Sequence, residues 1–217
     1  MQSTLELKQV SYYYFSGTTV LDQIDAVFET GKLYVIFGPS GCGKTTLLAL
    51  LGGLDSPKSG AIYVNGENIA EYGLQNHRKH HVSFVFQNYN LIDYMTSEEN
   101  VLLTSKQDAK QILEQLGISS EEAKRNVLQL SGGQQQRVAI ARALASDNPI
   151  ILADEPTGNL DSRTAEEITR IFRDAAKVYG KCVIIVSHSN EVAKQADTVY
   201  ELKDGKLQEK SFQLAKA

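Results

Sequence analysis

The fold is decided by residues 33–45, which read LYVIFGPSGCGKT. Leu33–Phe37 is a short apolar run, which predicts a buried strand. Residues 38–45 match the phosphate-loop pattern G-x-x-x-x-G-K-[ST] at every defined position. Residues 45–51 then have a helical pattern that stops at residues 52–53, two glycines, where helices commonly end. The order strand, glycine loop and helix therefore predicts a binding site for a nucleoside triphosphate rather than an ordinary glycine-rich turn.

This loop contains the residue types that phosphate binding requires. Its glycines let backbone N–H groups turn toward phosphate oxygens, and the N-terminus of the next helix adds a positive dipole. Lys44 can place a positive charge against the β- and γ-phosphates, and the Thr45 hydroxyl can ligate Mg²⁺. Cys42 occupies a position that the pattern leaves free, so we expect it to be a bystander in the chemistry.

Composition limits the class of protein. The chain has 217 residues, which suffices for one domain with a full core. Its 22 basic and 26 acidic residues leave a net charge of −4, which is not the charge of a nucleic-acid-binding protein. Cys42 and Cys182 lie far apart, as is typical of a reducing compartment. We expect no signal peptide, and apolar runs such as residues 182–186 are too short to span a bilayer, so a membrane function would need another chain.

The N-terminal part has the pattern of antiparallel strands. Residues 4–37 alternate between apolar and polar side chains, with turns near Gly17 and Gly31. Residues 61–64 form a further strand pattern, and the Asn-Gly pair at residues 65–66 is a strong signal for a tight turn. We therefore predict an N-terminal antiparallel β subdomain beside the strand that precedes the phosphate loop.

The remainder alternates between core strands and helices. Strands of a parallel sheet are predicted at residues 82–86, 149–153 and 181–187. A helix is predicted at residues 163–179, with one apolar face formed by Ile168, Ile171, Phe172 and Ala175. From about residue 88 to 145, helix formers replace the apolar strand runs, notably at residues 106–116, which Gly117 ends. The predicted fold class is α/β, with a mainly parallel core sheet and a small helical subdomain at about 88–145.

A second glycine turn, LSGGQ at residues 130–134, opens another helix. Ser131 and Gln134 form a capping-box pattern, so one interpretation is a well-capped structural helix. Capping needs only Ser131, however, whereas Gly132 and Gly133 cost helix stability and expose N–H groups. The turn is therefore also suited to an incoming phosphate.

Polar residues follow the predicted core strands at their carboxyl ends, where ligands bind in open α/β sheets. Asp154 suits the acid that organises Mg²⁺ in phosphate-loop enzymes, and Glu155 suits a base that polarises water. His188 is a candidate for a γ-phosphate contact, although a single histidine is usually structural. Gln87 carries a neutral amide that can reach Mg²⁺ or water. An Asp-Glu pair is common on solvated loops, but its position after an apolar strand and a phosphate loop favours a functional site.

Together these segments, in this order, resemble the nucleotide-binding subunits of ATP-binding-cassette (ABC) transporters over almost the whole chain. The resemblance implies a single ABC ATPase domain of the P-loop NTPase fold over residues 1–217, which binds ATP and Mg²⁺. It implies metal ligation by Thr45, Gln87 and Asp154, and catalytic roles for Glu155, His188 and Gln87. The implied nucleotide contacts are Gly38, Pro39, Ser40, Gly41, Cys42, Gly43, Lys44, Thr45, Thr46, Ser131, Gly132, Gly133, Gln134 and Asp161.

Tyr14 falls where the family stacks an aromatic ring on adenine. It is surrounded by Tyr12, Tyr13 and Phe15, so the assignment among these rings stays open. The alternative is that the aromatic side chains only pack against the N-terminal sheet.

The signature helix at residues 130–144 and the stretch ADEPTGNLD at residues 153–161 look like the exporter ATPases of macrolide, lipoprotein-release and antimicrobial-peptide systems. This implies a homodimer in which the phosphate loop of one copy and the signature turn of the other enclose ATP. It also implies a permease with an extracytoplasmic domain, a periplasmic or extracellular adaptor, no nucleic-acid partner, and a location at the cytoplasmic face of the cell membrane. Residues 88–95 would contact the permease or equally belong to the helical core. The segment formed by residues 100–130 is shorter than is usual in this group.

The implied function is ATP hydrolysis that drives export of peptide, antibiotic or lipid-like substrates. An alternative is an ABC ATPase that transmits a conformational change to an envelope partner without transport. A third class, ATPases that act on DNA or ribosomes, usually carries coiled-coil, zinc or tandem-cassette additions, which this sequence lacks.

Overall fold

A computed structural model describes residues 4–15, 17–104 and 109–210. The strands are β1 (Thr4–Tyr13), β2 (Thr19–Glu29), β3 (Leu33–Phe37), β4 (Ser59–Val64), β5 (Glu67–Asn68), β6 (Val82–Val85), β7 (Ile150–Asp154), β8 (Cys182–Ser187), β9 (Thr198–Lys203) and β10 (Lys206–Lys210). The helices are α1 (Lys44–Leu51), α2 (Ile69–Tyr72), α3 (Leu74–His80), α4 (Ser97–Leu102), α5 (Ala109–Gln115), α6 (Ser120–Ala123), α7 (Gly132–Ala145), α8 (Ser162–Lys177) and α9 (Asn190–Ala193), with a 3₁₀ turn at Val127–Gln129.

The core is a six-stranded sheet in the order β10-β9-β3-β8-β7-β6. Five of its strands run parallel, and β10 is antiparallel to β9. The predicted α/β fold with a mainly parallel sheet is confirmed, and the three predicted core strands lie within two residues of β6, β7 and β8. Strands β9 and β10 are missing from the sequence prediction because charged and polar residues interrupt their apolar pattern; β10 forms the sheet edge, and β9 lies between β10 and β3.

Both faces of the core sheet are covered, which explains the continuous apolar runs. Leu33 and Val35 of β3 face the cluster that includes α7 and α8. Tyr34 and Ile36, on the other face, pack in the cluster that includes α1 and the N-terminal strands. In the parallel register, Phe37 lies opposite Ser187 of β8. The segments that follow β3, β7 and β8 therefore leave the sheet at the same edge.

The N-terminal antiparallel subdomain is confirmed as a separate four-stranded sheet in the order β2-β1-β4-β5. The predicted tight turn joins β4 to β5, and both Asn65 and Gly66 have positive φ, at 53° and 83°. Asparagine and glycine are the residues that tolerate this conformation, so the turn chemistry and the strand pairing agree.

Within the region predicted as a helical subdomain, helices begin at Ser97, and residues 88–95 form turns and irregular backbone. Helix α7 is the centre of this region, and α4 and α5 pack against it. Helix α5 is observed from Ala109 to Gln115, and the first residues of the predicted helix at 106–116 lie outside the described residues. Gly117 follows with φ 78° and ends the helix, which is the conformation in which glycine stops helices most readily.

A buried histidine supports the end of the helix that follows the phosphate loop. His77 of α3 is fully buried, and its Nε2 lies 2.9 Å from the carbonyl oxygen of Leu51. Its Nδ1 lies 3.2 Å from Nδ1 of His81. Burial lowers the pKa of His77 below its ordinary value of 6.5; the hydrogen bond with Leu51 opposes this shift, and His81 and Arg78 add to it.

We expect the free energy of unfolding to fall as the pH is lowered below 6.5. The pKa of His77 is lower in the folded than in the unfolded chain, so its contribution is complete above the unfolded pKa and is lost as the pH falls through the folded pKa. Urea unfolding measured between pH 5 and 8 tests this against His77→Gln, which keeps an N–H donor but does not titrate.

The variant should show a shallower loss of stability with falling pH than the native chain. The matched control is His80→Gln, because His80 is an exposed neighbour on the same helix. Parallel pH dependences for the native chain and His77→Gln would contradict the role of His77.

Candidate nucleotide-binding site

Two glycines of the phosphate loop, Gly38 and Gly43, stand where a Cβ would lie too close to neighbouring atoms. Gly43 has φ 103°, and a Cβ there would lie 2.8 Å from Cγ1 of Val20. A Cβ on Gly38 would lie 2.6 Å from the carbonyl oxygen of Leu202. Gly43 is the N-cap of α1 and offers no side-chain acceptor. The first N–H groups of α1 are thus available to an anion, which fits the phosphates of a nucleotide.

Lys44 lies folded along this loop. Its Nζ donates to the carbonyl oxygens of Gly38, at 2.8 Å, and Pro39, at 3.0 Å. The residue is only 7% exposed. Its charge is therefore held at the mouth of the N–H cradle, where a phosphate oxygen would meet it.

Asp154 ends β7, which is separated from β3 by β8, and it meets the helix that follows the phosphate loop. The Thr45 hydroxyl donates to its Oδ1 at 3.4 Å. Burial raises the pKa of Asp154, and the nearby Glu155 adds to the rise, while the hydrogen bond from Thr45 and the charge of Lys44 oppose it. A hydroxyl and a carboxylate side by side are the hard oxygen ligands that Mg²⁺ prefers, so the two residues fit the metal.

Glu155 connects the ends of three strands. Its Oε1 lies 3.0 Å from Nδ1 of His188, after β8, and 3.7 Å from Nζ of Lys44, after β3. Its side chain is 16% exposed, whereas that of His188 is 62% exposed and reaches solvent. The backbone of Glu155 is left-handed, with φ 43°, which is a strained conformation for this residue and is typical of functional sites. The structure thus brings three predicted site residues into contact.

Gln87 lies at the same edge of the sheet but contacts a residue that sequence reasoning missed. Its Nε2 donates to Oδ1 of Asn159 at 3.4 Å, and Nδ2 of Asn159 donates back to the carbonyl oxygen of Gln87 at 3.5 Å. Asn159 follows Glu155 by four residues within the ADEPTGNLD stretch. Its position four residues after Glu155 in the sequence was the available signal.

The N-terminal aromatic residues divide between two environments. Tyr12 is buried and packs in the N-terminal sheet. The centroid of its ring lies 5.1 Å from that of Tyr14, and the two rings meet edge-on. Tyr14 is 59% exposed, and its hydroxyl lies 2.7 Å from Oγ1 of Thr46 in α1. A cleft of about 420 Å³ lies beside it and is lined by Tyr14, Val20, Gly41, Gly43, Lys44, Thr45 and Thr46. Core packing therefore accounts for Tyr12, and Tyr14 stands beside the phosphate loop.

The signature turn forms the predicted capping box. The Gln134 N–H donates to Oγ of Ser131 at 3.3 Å, and the Ser131 N–H donates to Oε1 of Gln134 at 2.9 Å. The glycines also allow close packing, because a Cβ on Gly132 would lie 2.9 Å from the Tyr89 hydroxyl. A Cβ on Gly133 would lie 2.7 Å from Cγ2 of Thr164. No local sequence pattern indicates these close approaches, because Tyr89 and Thr164 are distant from the turn in the chain.

Asp161 has a structural role that the sequence prediction missed. It is the N-cap of α8, and its Oδ1 accepts from the N–H groups of Arg163 and Thr164, each at 3.1 Å. Its Oδ2 accepts from the Thr164 hydroxyl at 2.7 Å. These hydrogen bonds, with the Thr164 hydroxyl first, lower the pKa of Asp161. Its nucleotide contact stays a prediction.

A family model described as ABC transporter matches residues 21–158. YclH, an uncharacterized ABC transporter ATP-binding protein of Bacillus subtilis, is 46% identical over 94% of this chain and 95% of its own length. The lipoprotein-releasing system ATP-binding protein LolD 1 of Rhodopseudomonas palustris is 36% identical over 95% of this chain and 99% of its own length. The macrolide export ATP-binding/permease protein MacB of Haemophilus ducreyi is 40% identical over 95% of this chain, which spans only 32% of that protein.

Solved structures agree with the sequence relatives. The dimeric bacterial ABC transporter cassette MJ0796 superposes with a TM-score of 0.84 at 36% identity, covering 95% of this chain and 98% of that chain. A post-hydrolysis dimer of the same cassette, bound to ADP and Pi, matches with the same values. Within the described residues, none of the helices has the length and apolar character needed to cross a membrane. Both the sequence and the fold therefore assign the chain to the ABC transporter family, as an ATP-binding domain of the ATP-hydrolysing type.

Proposed function

We propose that this ABC ATPase hydrolyses ATP between two copies of itself and drives a membrane permease that exports peptide, antibiotic or lipid-like substrates. The observation that carries the hydrolytic part is the contact of one Glu155 oxygen with both His188 and Lys44. We further propose that residues 1–217 act as a single domain in which the helical subdomain at about 88–145 is inserted. The chain would lie at the cytoplasmic face of the membrane through its permease.

Each residue of the site has a proposed role. Lys44 and the first N–H groups of α1 would bind the phosphates, and Tyr14 would stack on the base. Bound Mg²⁺ would neutralise phosphate charge, with Thr45, Asp154 and Gln87 as the side chains that hold it.

Glu155 would orient water and accept its proton. His188 contacts the Glu155 carboxylate through Nδ1 and is otherwise exposed, so its Nε2 is accessible to a phosphate oxygen. These roles are mainly positioning and electrostatic stabilisation, which are the chief sources of catalysis in phosphoryl transfer.

The two glycine turns support a shared site. The phosphate loop contacts Val20 and Leu202, whereas the signature turn contacts Tyr89 and Thr164. Beside Glu155 and His188 a cleft of about 520 Å³ opens between α8 and α9. A second copy related by two-fold symmetry could supply its signature turn to the nucleotide, as the dimeric relative suggests.

We expect Ser131→Arg to bind ATP as a monomer but to fail to form an ATP-dependent dimer. The arginine adds bulk and charge at the exposed N-terminus of α7, where the proposed partner nucleotide would lie. Size-exclusion chromatography with ATP and Mg²⁺, in a Glu155→Gln background that slows turnover, measures the dimer directly.

The matched control is Ser119→Arg. Ser119 is also the N-cap of a capping box, so this change removes the same kind of cap from α6. It should leave dimerisation intact. ATP-dependent dimers of the Ser131→Arg protein would argue against a site divided between copies.

The substrate class is tested by reconstitution with the permease that is recovered with this chain in a membrane pull-down. Vesicles that accumulate a labelled macrolide, peptide or lipopeptide only with ATP and an active Glu155 would support export. ATP hydrolysis that is stimulated by the permease but moves none of these substrates would favour force transmission to an envelope partner instead. The names MacB and LolD guide the choice of substrates, because those relatives serve macrolide export and lipoprotein release.

A further inference from the structure

The backbone directly after Gln87 is strained. Tyr89 has φ 61° and Asn90 has φ 47°, so two consecutive non-glycine residues are left-handed. Asparagine tolerates this conformation, but a tyrosine in it is strained and persists only where the surroundings hold it. Tyrosine is an especially poor residue for this conformation because of its bulk.

The groups that hold this segment come from the helical part of the chain. Arg142 of α7 donates through one guanidinium nitrogen to the Asn90 carbonyl oxygen at 2.7 Å, and through the other to that of Tyr89 at 3.1 Å. Asn100 of α4 is fully buried and holds the next residues, because its Oδ1 accepts from the Ile92 N–H at 2.7 Å. The planar fork of arginine is what allows one side chain to bind both strained carbonyls.

Gln87 itself is attached on the opposite side. Its amide and carbonyl pair with Asn159, which follows β7. Only Asn88 separates Gln87 from the two residues that Arg142 holds. The Tyr89 ring in turn reaches Gly132 at the start of α7. The position of Gln87 thus depends on a short strained connection whose far end is bound to the signature helix.

We propose that Arg142 is a positioning residue for Gln87, acting by holding Tyr89 and Asn90 in the left-handed conformation. This inference rests on the catalytic and metal-binding role proposed for Gln87. When the guanidinium is removed, the strained residues can relax to negative φ, which moves the backbone that carries the Gln87 amide. The phosphate loop and Tyr14 are not part of this connection, so ATP binding should be preserved.

The test begins with kcat and KM for ATP in Arg142→Ala and Arg142→Lys. We expect kcat to fall about tenfold in both, because small displacements of a positioned group are costly, with KM changed less than about twofold. Lysine keeps the charge but cannot bridge both carbonyls, so it should not restore the rate. Arg170→Ala is the matched control, since Arg170 is an exposed helix arginine that pairs with Glu166 at 3.4 Å on the surface of α8. Melting temperatures show which variants are folded. If Arg142→Ala does not fold, the kinetics of Arg142→Lys test the inference.

A double-mutant cycle with Gln87→Ala tests the role of Arg142 separately from the role of Gln87. If Arg142 acts through Gln87, the double variant should be no slower than Gln87→Ala alone. If the fold-loss of kcat in the double variant equals the product of the two single losses, Arg142 does not act through Gln87. That result, or a native kcat in the Arg142 variants, would overturn the role of Arg142 while leaving that of Gln87 intact. A native kcat in Gln87→Ala would instead refute the proposed role of Gln87, and the inference with it.

Discussion

Glu155→Gln is expected to abolish ATP turnover while preserving ATP binding. The amide has nearly the same shape as the carboxylate but cannot accept a proton from water. It also removes the negative charge that lies 3.7 Å from Nζ of Lys44, so the lysine becomes more available to phosphate. We expect kcat to fall by about 100-fold or more, which is the usual contribution of a general base. Steady-state phosphate release and equilibrium ATP binding measure the two effects separately.

The matched control is Glu166→Gln. Glu166 lines the same cleft but pairs with Arg170 on the surface of α8, so the same chemical change should leave turnover near the native rate. A trapped ATP-bound dimer is the further consequence, since the step that opens it would be blocked. Native turnover by Glu155→Gln would show that another group activates the water.

Lys44→Ala should weaken ATP binding itself. The lysine is buried beside the N–H cradle, and hydrogen bonds from a charged group contribute about 1.5–3 kcal/mol, which corresponds to a loss of affinity of about 10- to 100-fold. The change also removes the two hydrogen bonds that hold the carbonyls of Gly38 and Pro39. Titration with a fluorescent ATP analogue in the presence of Mg²⁺ gives the dissociation constant.

Lys8→Ala serves as the control for this loss of charge. Lys8 lies on β1 and pairs with Glu6 at 3.3 Å on the surface of the N-terminal sheet. Its removal changes the net charge equally but should leave ATP affinity unchanged. An unaltered affinity in Lys44→Ala would contradict the phosphate-binding role of the loop.

Much of the fold could be predicted because its signals are local. The apolar runs of β3, β7 and β8 mark strands that are buried on both faces. The capping box of α7 and the Asn-Gly turn between β4 and β5 are each formed by residues no more than three apart. Patterns of this kind depend on backbone geometry and capping chemistry, which a single sequence displays directly.

Strands β9 and β10 were not predicted because charged and polar residues interrupt their apolar runs; of the two, only β10 is an edge strand. The role of Asp161 as the N-cap of α8 is local and could have been found from its position before the helix. The close packing at Gly132 and Gly133 could not have been predicted, because Tyr89 and Thr164 come from other parts of the chain.

The sequence by itself determined that a phosphate loop follows one buried strand. It also determined that Asp154, Glu155 and His188 lie at the carboxyl ends of other buried strands. Only the tertiary structure decided which of these residues meet. Lys44, Glu155 and His188 are brought together by the strand order β3-β8-β7, which no local pattern states. The same holds for Arg142 and the strained residues after Gln87, more than 50 positions earlier in the chain. Such contacts arise from the packing of distant elements, and their cost or benefit exists only once the chain has folded.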